Sequence, residues 1–284
     1  MNNIVIIPCY RRPEYLQLCL ERIIKADLYD QMYYIFCLDN GYDKENFSII
    51  KNFDLDGQII HREHFKNKMM KQSRNLLYGY KNAYNLGANY IFLIEEDVMI
   101  ANDFFRWHLD IHKKEKCFCS IASRNNNTFF KTTNDINKYY YGKKTDYQSL
   151  GVCFHRDIIK NYMLPHINME YFNNPFRYFE HIFKNNWLGR EYGEQDGLIR
   201  RIKSNTNLPV VFPHVPRCHH AGLYGYNRNS RFKVRGNVQQ KIIQLKKILA
   251  NKEIYKSYCL RENFYKDSEP VNLTIKKYNN LILE

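Results

Sequence analysis

The chain lacks any apolar run long enough to cross a bilayer. Its first such run, residues 4–8, is followed at once by Arg11 and Arg12, whereas a spanning helix needs about 20 apolar residues. No small-residue cleavage site follows the run, so neither a secretion signal nor a membrane anchor is expected. Closely paired cysteines are missing too. The eight cysteines are scattered, and the one near pair, Cys117 and Cys119, has a single residue between them where a zinc knuckle has two. Reduced thiols and a cytoplasmic location are the simplest expectation. Acids are in deficit, 29 against 43 Lys and Arg, which leaves a formal charge of +14. Internal repeats and low-complexity linkers are absent.

What is present describes a folded protein. Hydrophobic residues make up 44% and aromatics 15% of 284 positions, which excludes disorder as an overall description. The length suits one α/β domain with a C-terminal extension. The positive charge favours a polyanionic partner, such as nucleic acid, an acidic glycan or an anionic membrane surface. The abundance of Asn, Lys, Ile and Tyr offers a second explanation, base drift in an AT-rich genome.

Along the first hundred residues, buried-strand runs alternate with helical spacing. Residues 4–8 read as a strand. Pro13 then opens a helix through Ile24, with Leu16, Leu20, Ile23 and Ile24 on one face. Residues 33–38 form a second strand ending in Asp39-Asn40-Gly41, and residues 58–61 a third. A helix over residues 68–86 is closed by Gly87, and a strand over 90–94 ends in Glu95-Glu96-Asp97. This is the pattern of an open, mostly parallel α/β sheet, which binds ligands at the carboxyl ends of its strands. Residues 125–144 read as a mobile loop, 149–155 as strand, 168–187 as aromatic and irregular, 193–203 as a charged helix, and 238–254 as a basic amphipathic helix.

Three adjacent carboxylates at a strand tip are costly unless a cation neutralises them. Oxygen ligands suit magnesium or manganese, which complete their shells with water and substrate phosphate. A solvated acidic turn is the alternative. Asp196 and Glu194 open a helix, where acids are favoured by the dipole and could also serve as bases. Arg217, His220, Gly222 and Gly225 form a second cluster of chemistry-bearing residues, with His220 open to either a structural or a ligand role. Lys71 and Arg74 are candidates for a pyrophosphate or ribose, or for a solvated helix face. The segment 224–235 interleaves Arg228, Arg231, Lys233 and Arg235 with Tyr224, Tyr226 and Phe232, which suits a nucleic-acid strand, a lid over a diphosphate, or a solvated loop.

The opening Val5-Ile6-Ile7-Pro8-Cys9-Tyr10-Arg11-Arg12-Pro13-Glu14-Tyr15-Leu16, the Asp39-Asn40-Gly41 turn and Glu95-Glu96-Asp97 together resemble the nucleotide-sugar half of GT-A glycosyltransferases. The resemblance implies that Pro8, Tyr10 and Arg11 line the nucleoside pocket, that Asp39 touches uracil or ribose, that Asp97 ligates Mn2+ or Mg2+, and that Glu96 neighbours the ribose or reaches the metal through water. The segment Pro213 to Gly225 is similar to the Arg-x-x-His-x-Gly-x-x-Gly stretch of the N-acetylglucosaminyltransferase I-like branch, and Glu194-Gln195-Asp196 to its acidic helix start. Ser149-Leu150-Gly151-Val152 resembles the short strand under the acceptor. By this resemblance Asp196, or Glu194 in its place, is the base. His220 is a further metal ligand, and Glu95, Lys71, Arg74, Arg217 and His220 belong to the donor site.

The expected architecture is a GT-A domain over residues 1–235, with a nucleotide-sugar half in 1–100 and an acceptor half in 101–235, followed by a basic helical extension in 236–284. The expected activity is inverting, metal-dependent transfer from a nucleotide sugar, taken as a UDP-sugar. The preferred acceptor is a hydroxymethylated pyrimidine in DNA, as in bacteriophage genomes. The rivals are a surface-polysaccharide or glycoprotein glycosyltransferase whose basic helix rests on lipid, and a non-catalytic nucleic-acid-binding protein on the same shell.

Overall fold

Four consecutive branched apolar residues, Ile4-Val5-Ile6-Ile7, leave no polar face for water, and β1 (Asn3–Cys9) is buried on both sides inside the sheet. The computed structural model describes residues 3–39, 43–62, 70–123, 135–143, 146–184, 194–224, 235–251 and 254. After β1, Pro13 occupies the first position of α1 (Pro13–Ile23), which buries Tyr15, Leu16, Cys19, Leu20 and Ile23. Next come β2 (Tyr33–Asp39) and α2 (Lys44–Asn52), the latter capped by the Asp43 carboxylate accepting from the Glu45 and Asn46 amides. Then follow β3 (Gly57–Arg62), α3 (Lys71–Asn85) and β4 (Tyr90–Leu93). Gly87, at φ +82, ends α3: its amide donates to the Tyr84 carbonyl and that of Ala88 to Ala83, a Schellman closure.

The second half contributes β5 (Val98–Ile100), α4 (Phe104–Lys114), β6 (Cys119–Ile121), β7 (Tyr139–Tyr141) and β8 (Val152–His155). It continues with α5 (Arg156–Ile158), α6 (Met169–Asn173), α7 (Pro175–Phe183), α8 (Gln195–Ser204), β9 (Val210–Pro213), β10 (Cys218–His220) and α9 (Val238–Leu249). Eight strands form one sheet in the order β3-β2-β1-β4-β8-β6-β9-β7. The first four are parallel, whereas β8 runs antiparallel to both β4 and β6, with Leu93 opposite Val152. This reversal brings the chain entering β8 to the same sheet edge as the carboxyl end of β4.

Alternating residues of β1 feed the two faces. Val5 and Ile7 meet α1, α4 and α9, while Ile4 and Ile6 meet α3, α8 and the α6–α7 pair. Ile242, Leu245 and Ile248 seat α9 in the first of these cores, each contributing about 1.5–3 kcal/mol if fully buried. The described part of the 236–284 extension is thus packed into the domain. Two of its lysines turn to α1, Lys246 lying 2.7 Å from Glu21 and Lys241 4.0 Å from Glu14.

Some expectations need correction. Residues 135–143 of the anticipated mobile loop include β7, held against β9 with Tyr140 stacked on Phe212; residues 124–134 and 144–145 lie outside the described residues. The stretch read as irregular contains α6 and α7, started by Asn168 and Asn174 side chains that accept from the Tyr171 and Arg177 amides. The helix read over residues 238–254 ends at Leu249, with a turn at Ala250. Among the described residues no helix is long and apolar enough to cross a membrane.

Candidate active site

Beyond Leu93 the chain leaves the sheet, turns through Glu95-Glu96-Asp97 and enters β5, the turn closed by the Val98 amide on the Glu95 carbonyl. β5 pairs antiparallel with β10, His220 opposite Val98, in a two-stranded ribbon apart from the main sheet. The ribbon carries His220 to the acids: its Nε2 lies 3.4 Å from Asp97 Oδ2, and the Ala221 amide donates to the Asp97 carbonyl. Gly222 follows. A Cβ there would stand 2.3 Å from Asp97 Oδ2 and 3.4 Å from His220 Nε2, so only glycine admits the carboxylate this close.

Glu96 and Asp97 are almost wholly buried, at 2% and 3% exposure, which requires compensation. Arg12 supplies it. Its Nε donates to Glu96 Oε1 and its Nη1 to Asp97 Oδ2, both at 2.7 Å, and Nη1 also reaches the Tyr224 carbonyl at 3.2 Å. The Tyr10 amide donates to Glu96 Oε2 at 2.8 Å. Burial nevertheless pushes the Glu96 carboxyl up to about 7 against the pull of Arg12. Glu95 is pushed up to about 8 by burial and by the charge of Asp97, with the Ser149 hydrogen bond acting the other way.

Across the cleft edge, Ser149 precedes β8. Its hydroxyl donates to Glu95 Oε1 at 2.7 Å and lies 3.5 Å from Asp196 Oδ2. Asp196 sits in the first turn of α8, its carboxyl raised to about 6 by burial, with Arg200 and Ser149 lowering it. Glu194 is the residue before that helix. The helix start is tied to α3: Ser73 Oγ donates to Gln195 Oε1 at 2.9 Å and accepts from the Gln195 amide at 3.0 Å.

The structure thus brings Glu95, Glu96, Asp97, His220 and Asp196 to one edge. Pro8 is buried at the end of β1, beyond the Ile6–Leu93 pairing, where its missing N–H breaks no bond to β4. Tyr10 and Arg11 are exposed beside it, Arg11 at φ +50 with its guanidinium 5.6 Å from the Tyr10 ring centroid. Asp39 ends β2, half-buried and registered against Arg62 of β3; Asn40 and Gly41 lie outside the described residues. Lys71 and Arg74 sit on the first turn of α3, Arg74 lying 5.5 Å over the Tyr78 ring, which Arg62 also approaches to 5.0 Å.

Arg217 is not brought to this edge. It is fully buried, with Nε donating to Asp103 Oδ2 at 3.2 Å, its other nitrogens donating to the Val215 and Ile136 carbonyls, and the guanidinium 5.6 Å over Trp107. Its place in the donor site is corrected accordingly: a guanidinium enclosed by protein acceptors has no face for a ligand. Of the segment 224–235, only Tyr224 and Arg235 are described, Tyr224 donating its hydroxyl to Glu14. Arg12 and Ser149, which hold the two carboxylate groups in place, were not singled out as site residues by the sequence. The proximity of Arg12 to a conspicuous acidic cluster gives no signal along the chain.

Among the described residues no three His, Cys, Asp or Glu side chains are placed to hold a metal together. Asp97 and His220 offer a two-residue seat with the glycine cradle beside it. That donor set fits a cation that takes its remaining ligands from phosphate and water, as magnesium and manganese do.

A parallel first half with an acidic turn at the end of its fourth strand, in a mixed sheet flanked by helices, is a GT-A type α/β fold. Residues 4–164 match the glycosyl transferase family 2 model, and the chain belongs to that family. The match ends before Arg217 to Gly225 and does not show the N-acetylglucosaminyltransferase I-like branch expected from that segment. No curated protein matches the chain. Among solved structures, it is similar to S. aureus TarS 1–349 at 11% identity and TM-score 0.48, over 75% of this chain and 60% of that one. The mannosyltransferase PcManGT from Pyrobaculum calidifontis, in complex with GDP-Man and Mn2+, is 11% identical at TM-score 0.42, over 56% of this chain and 46% of that one. Mouse xyloside xylosyltransferase 1 is 6% identical at TM-score 0.43, over 71% and 81%.

Proposed function

We propose that this glycosyltransferase moves a sugar from a nucleotide diphosphate, a UDP-sugar first, to an acceptor hydroxyl with inversion, and that Asp196 is the base. One observation carries the reading: a single hydroxyl, Ser149 Oγ, touches both Glu95 of the acidic turn and Asp196, so a donor held at the turn lies beside a carboxylate able to receive a proton. The acceptor O–H gives its proton to Asp196, the acceptor oxygen bonds to the anomeric carbon, and the bond from that carbon to the diphosphate breaks with its electron pair leaving on phosphate. With a carboxyl raised to about 6, Asp196 is ionised at neutral pH yet more basic than an ordinary aspartate.

Tyr10, Arg11 and Asp39 are proposed to line the nucleoside pocket, with Pro8 fixing the first loop and Lys71 and Arg74 beside it. Asp97 and His220 would hold a divalent ion. When bound, the ion neutralises charge gathering on the departing diphosphate. Glu95 and Glu96 then act on this chain's own groups, Glu96 anchoring the first loop through Tyr10 and Arg12, and Glu95 orienting Ser149. For the acceptor, the +14 charge favours a polyanion, and hydroxymethylated pyrimidines in DNA are the first to try, ahead of a surface or glycoprotein glycan.

The test is release of the nucleoside diphosphate, UDP or GDP, from a panel of UDP- and GDP-sugars with Mn2+, followed by transfer of labelled sugar to hydroxymethylcytosine DNA, hydroxymethyluracil DNA and lipid-linked glycan. Release lost in Asp97→Asn supports the donor reading. Release unaffected by that change would contradict it, and labelling of lipid-linked glycan alone would reject the DNA acceptor.

A further inference from the structure

We infer that Arg12 is a built-in counter-cation that competes with the divalent ion for Asp97, so that the ion is taken up together with a diphosphate and only weakly alone. The inference deepens the donor reading above and rests on it.

Arg12 Nη1 and His220 Nε2 approach the same oxygen, Asp97 Oδ2, at 2.7 Å and 3.4 Å, and Gly222 lets that oxygen pack against the backbone where a Cβ would clash at 2.3 Å. The seat of the guanidinium and the seat proposed for the ion therefore share one atom. A dication placed there would lie beside a fixed positive charge, and like charges so close, among carboxylates nearly removed from water, repel strongly. A diphosphate changes the balance, because its oxygens accept a guanidinium in the bidentate manner that carboxylates do.

Arg12 is placed to make that exchange. Its side chain is 22% exposed, whereas the two carboxylates it holds are nearly buried. It stands at the boundary of α1 without capping the helix, directly after the left-handed Arg11. Among the described residues, besides the two carboxylates it reaches the Tyr224 carbonyl, with the Tyr15 ring 5.5 Å from its guanidinium. Every one of these partners is either an acid that a metal would neutralise or a neutral group.

The experiment measures Mn2+ binding, by the paramagnetic resonance signal of the free ion, to the full-length protein as wild type, Arg12→Met and Arg12→Lys, each with and without UDP. Without UDP, Arg12→Met is expected to bind Mn2+ about tenfold more tightly than wild type. Arg12→Lys, whose single ammonium cannot span both carboxylates, should fall between. UDP should raise Mn2+ affinity less in Arg12→Met than in wild type, and UDP alone should bind that variant more weakly. Equal Mn2+ affinity in wild type and Arg12→Met, with normal circular dichroism and melting, would overturn the inference and leave the donor reading intact. If Arg12→Met does not fold, unchanged affinity in Arg12→Lys overturns it instead. Mn2+ binding to no form, even with UDP, would overturn the donor reading and this inference together.

Discussion

Arg12 and Arg217 each meet an aspartate in a setting poor in water, yet they do opposite things. Arg217 is enclosed: Asp103, two main-chain carbonyls and the Trp107 face surround it, and the pair fixes α4 to the chain entering β10. Arg12 stands at the carboxyl end of the parallel strands, paired with two carboxylates and partly exposed to solvent. A buried charge with fixed partners contributes to the fold, because losing either partner strands the other. A charge at a cleft edge can exchange partners, and only such a charge can answer a ligand. Arginine by itself says nothing of which it will be.

The sharpest way to break this comparison is to remove one charge from each pair. Asp97→Asn is expected to lower UDP-sugar turnover by about 10³-fold, the scale of losing one preorganised electrostatic contact, with the melting temperature little changed. Arg217→Met should do the reverse, costing about 3 kcal/mol of stability in urea unfolding while the folded fraction keeps its kcat. Equal effects of the two changes on turnover would erase the distinction.

A smaller effect is expected at Gly222. Alanine there must displace Asp97 or the ribbon, since its Cβ would stand 2.3 Å from the carboxylate, and a displacement of about 1 Å can cost up to about 10²-fold in rate. Steady-state kinetics should show kcat falling, and wild-type kinetics for Gly222→Ala would mean that the close approach is not used.

The mildest test is pH. Burial raises the Asp196 carboxyl to about 6, and a base works only when deprotonated. Turnover should therefore be level above pH 6 and fall about tenfold per unit below it. Asp196→Asn should lose this limb along with most of the rate. A limb that persists in Asp196→Asn would move the base elsewhere, Glu194 being the next candidate.

The first, parallel half of the sheet was legible because its signals are local. Ile4 to Ile7, the Gly87 helix stop and the carboxylates after Leu93 each announce an element boundary within a few residues, and parallel β-strands place their ends together by rule. The second half was legible only in pieces. β5 and β10 are three residues long, too short to show a period, so the ribbon that carries His220 to Asp97 left no pattern. Ser149 reaches Glu95 because β8 enters the sheet against the direction of β4, and strand direction is not written in a strand's composition. The donor-site place of Arg217 comes from the resemblance of its segment to a family motif. Spacing does not reveal that the residue before a strand points into the core.

The central claim is that the acids after β4 hold a divalent ion with a nucleoside diphosphate, Asp97 and His220 being the protein ligands. Anomalous diffraction from crystals soaked with Mn2+ and UDP tests it most directly. The account predicts one manganese peak within bonding distance of an Asp97 carboxylate oxygen, His220 Nε2 and the diphosphate, with Arg12 moved from Asp97 onto phosphate. A diphosphate bound without manganese at Asp97, or manganese bound at other residues, would contradict it.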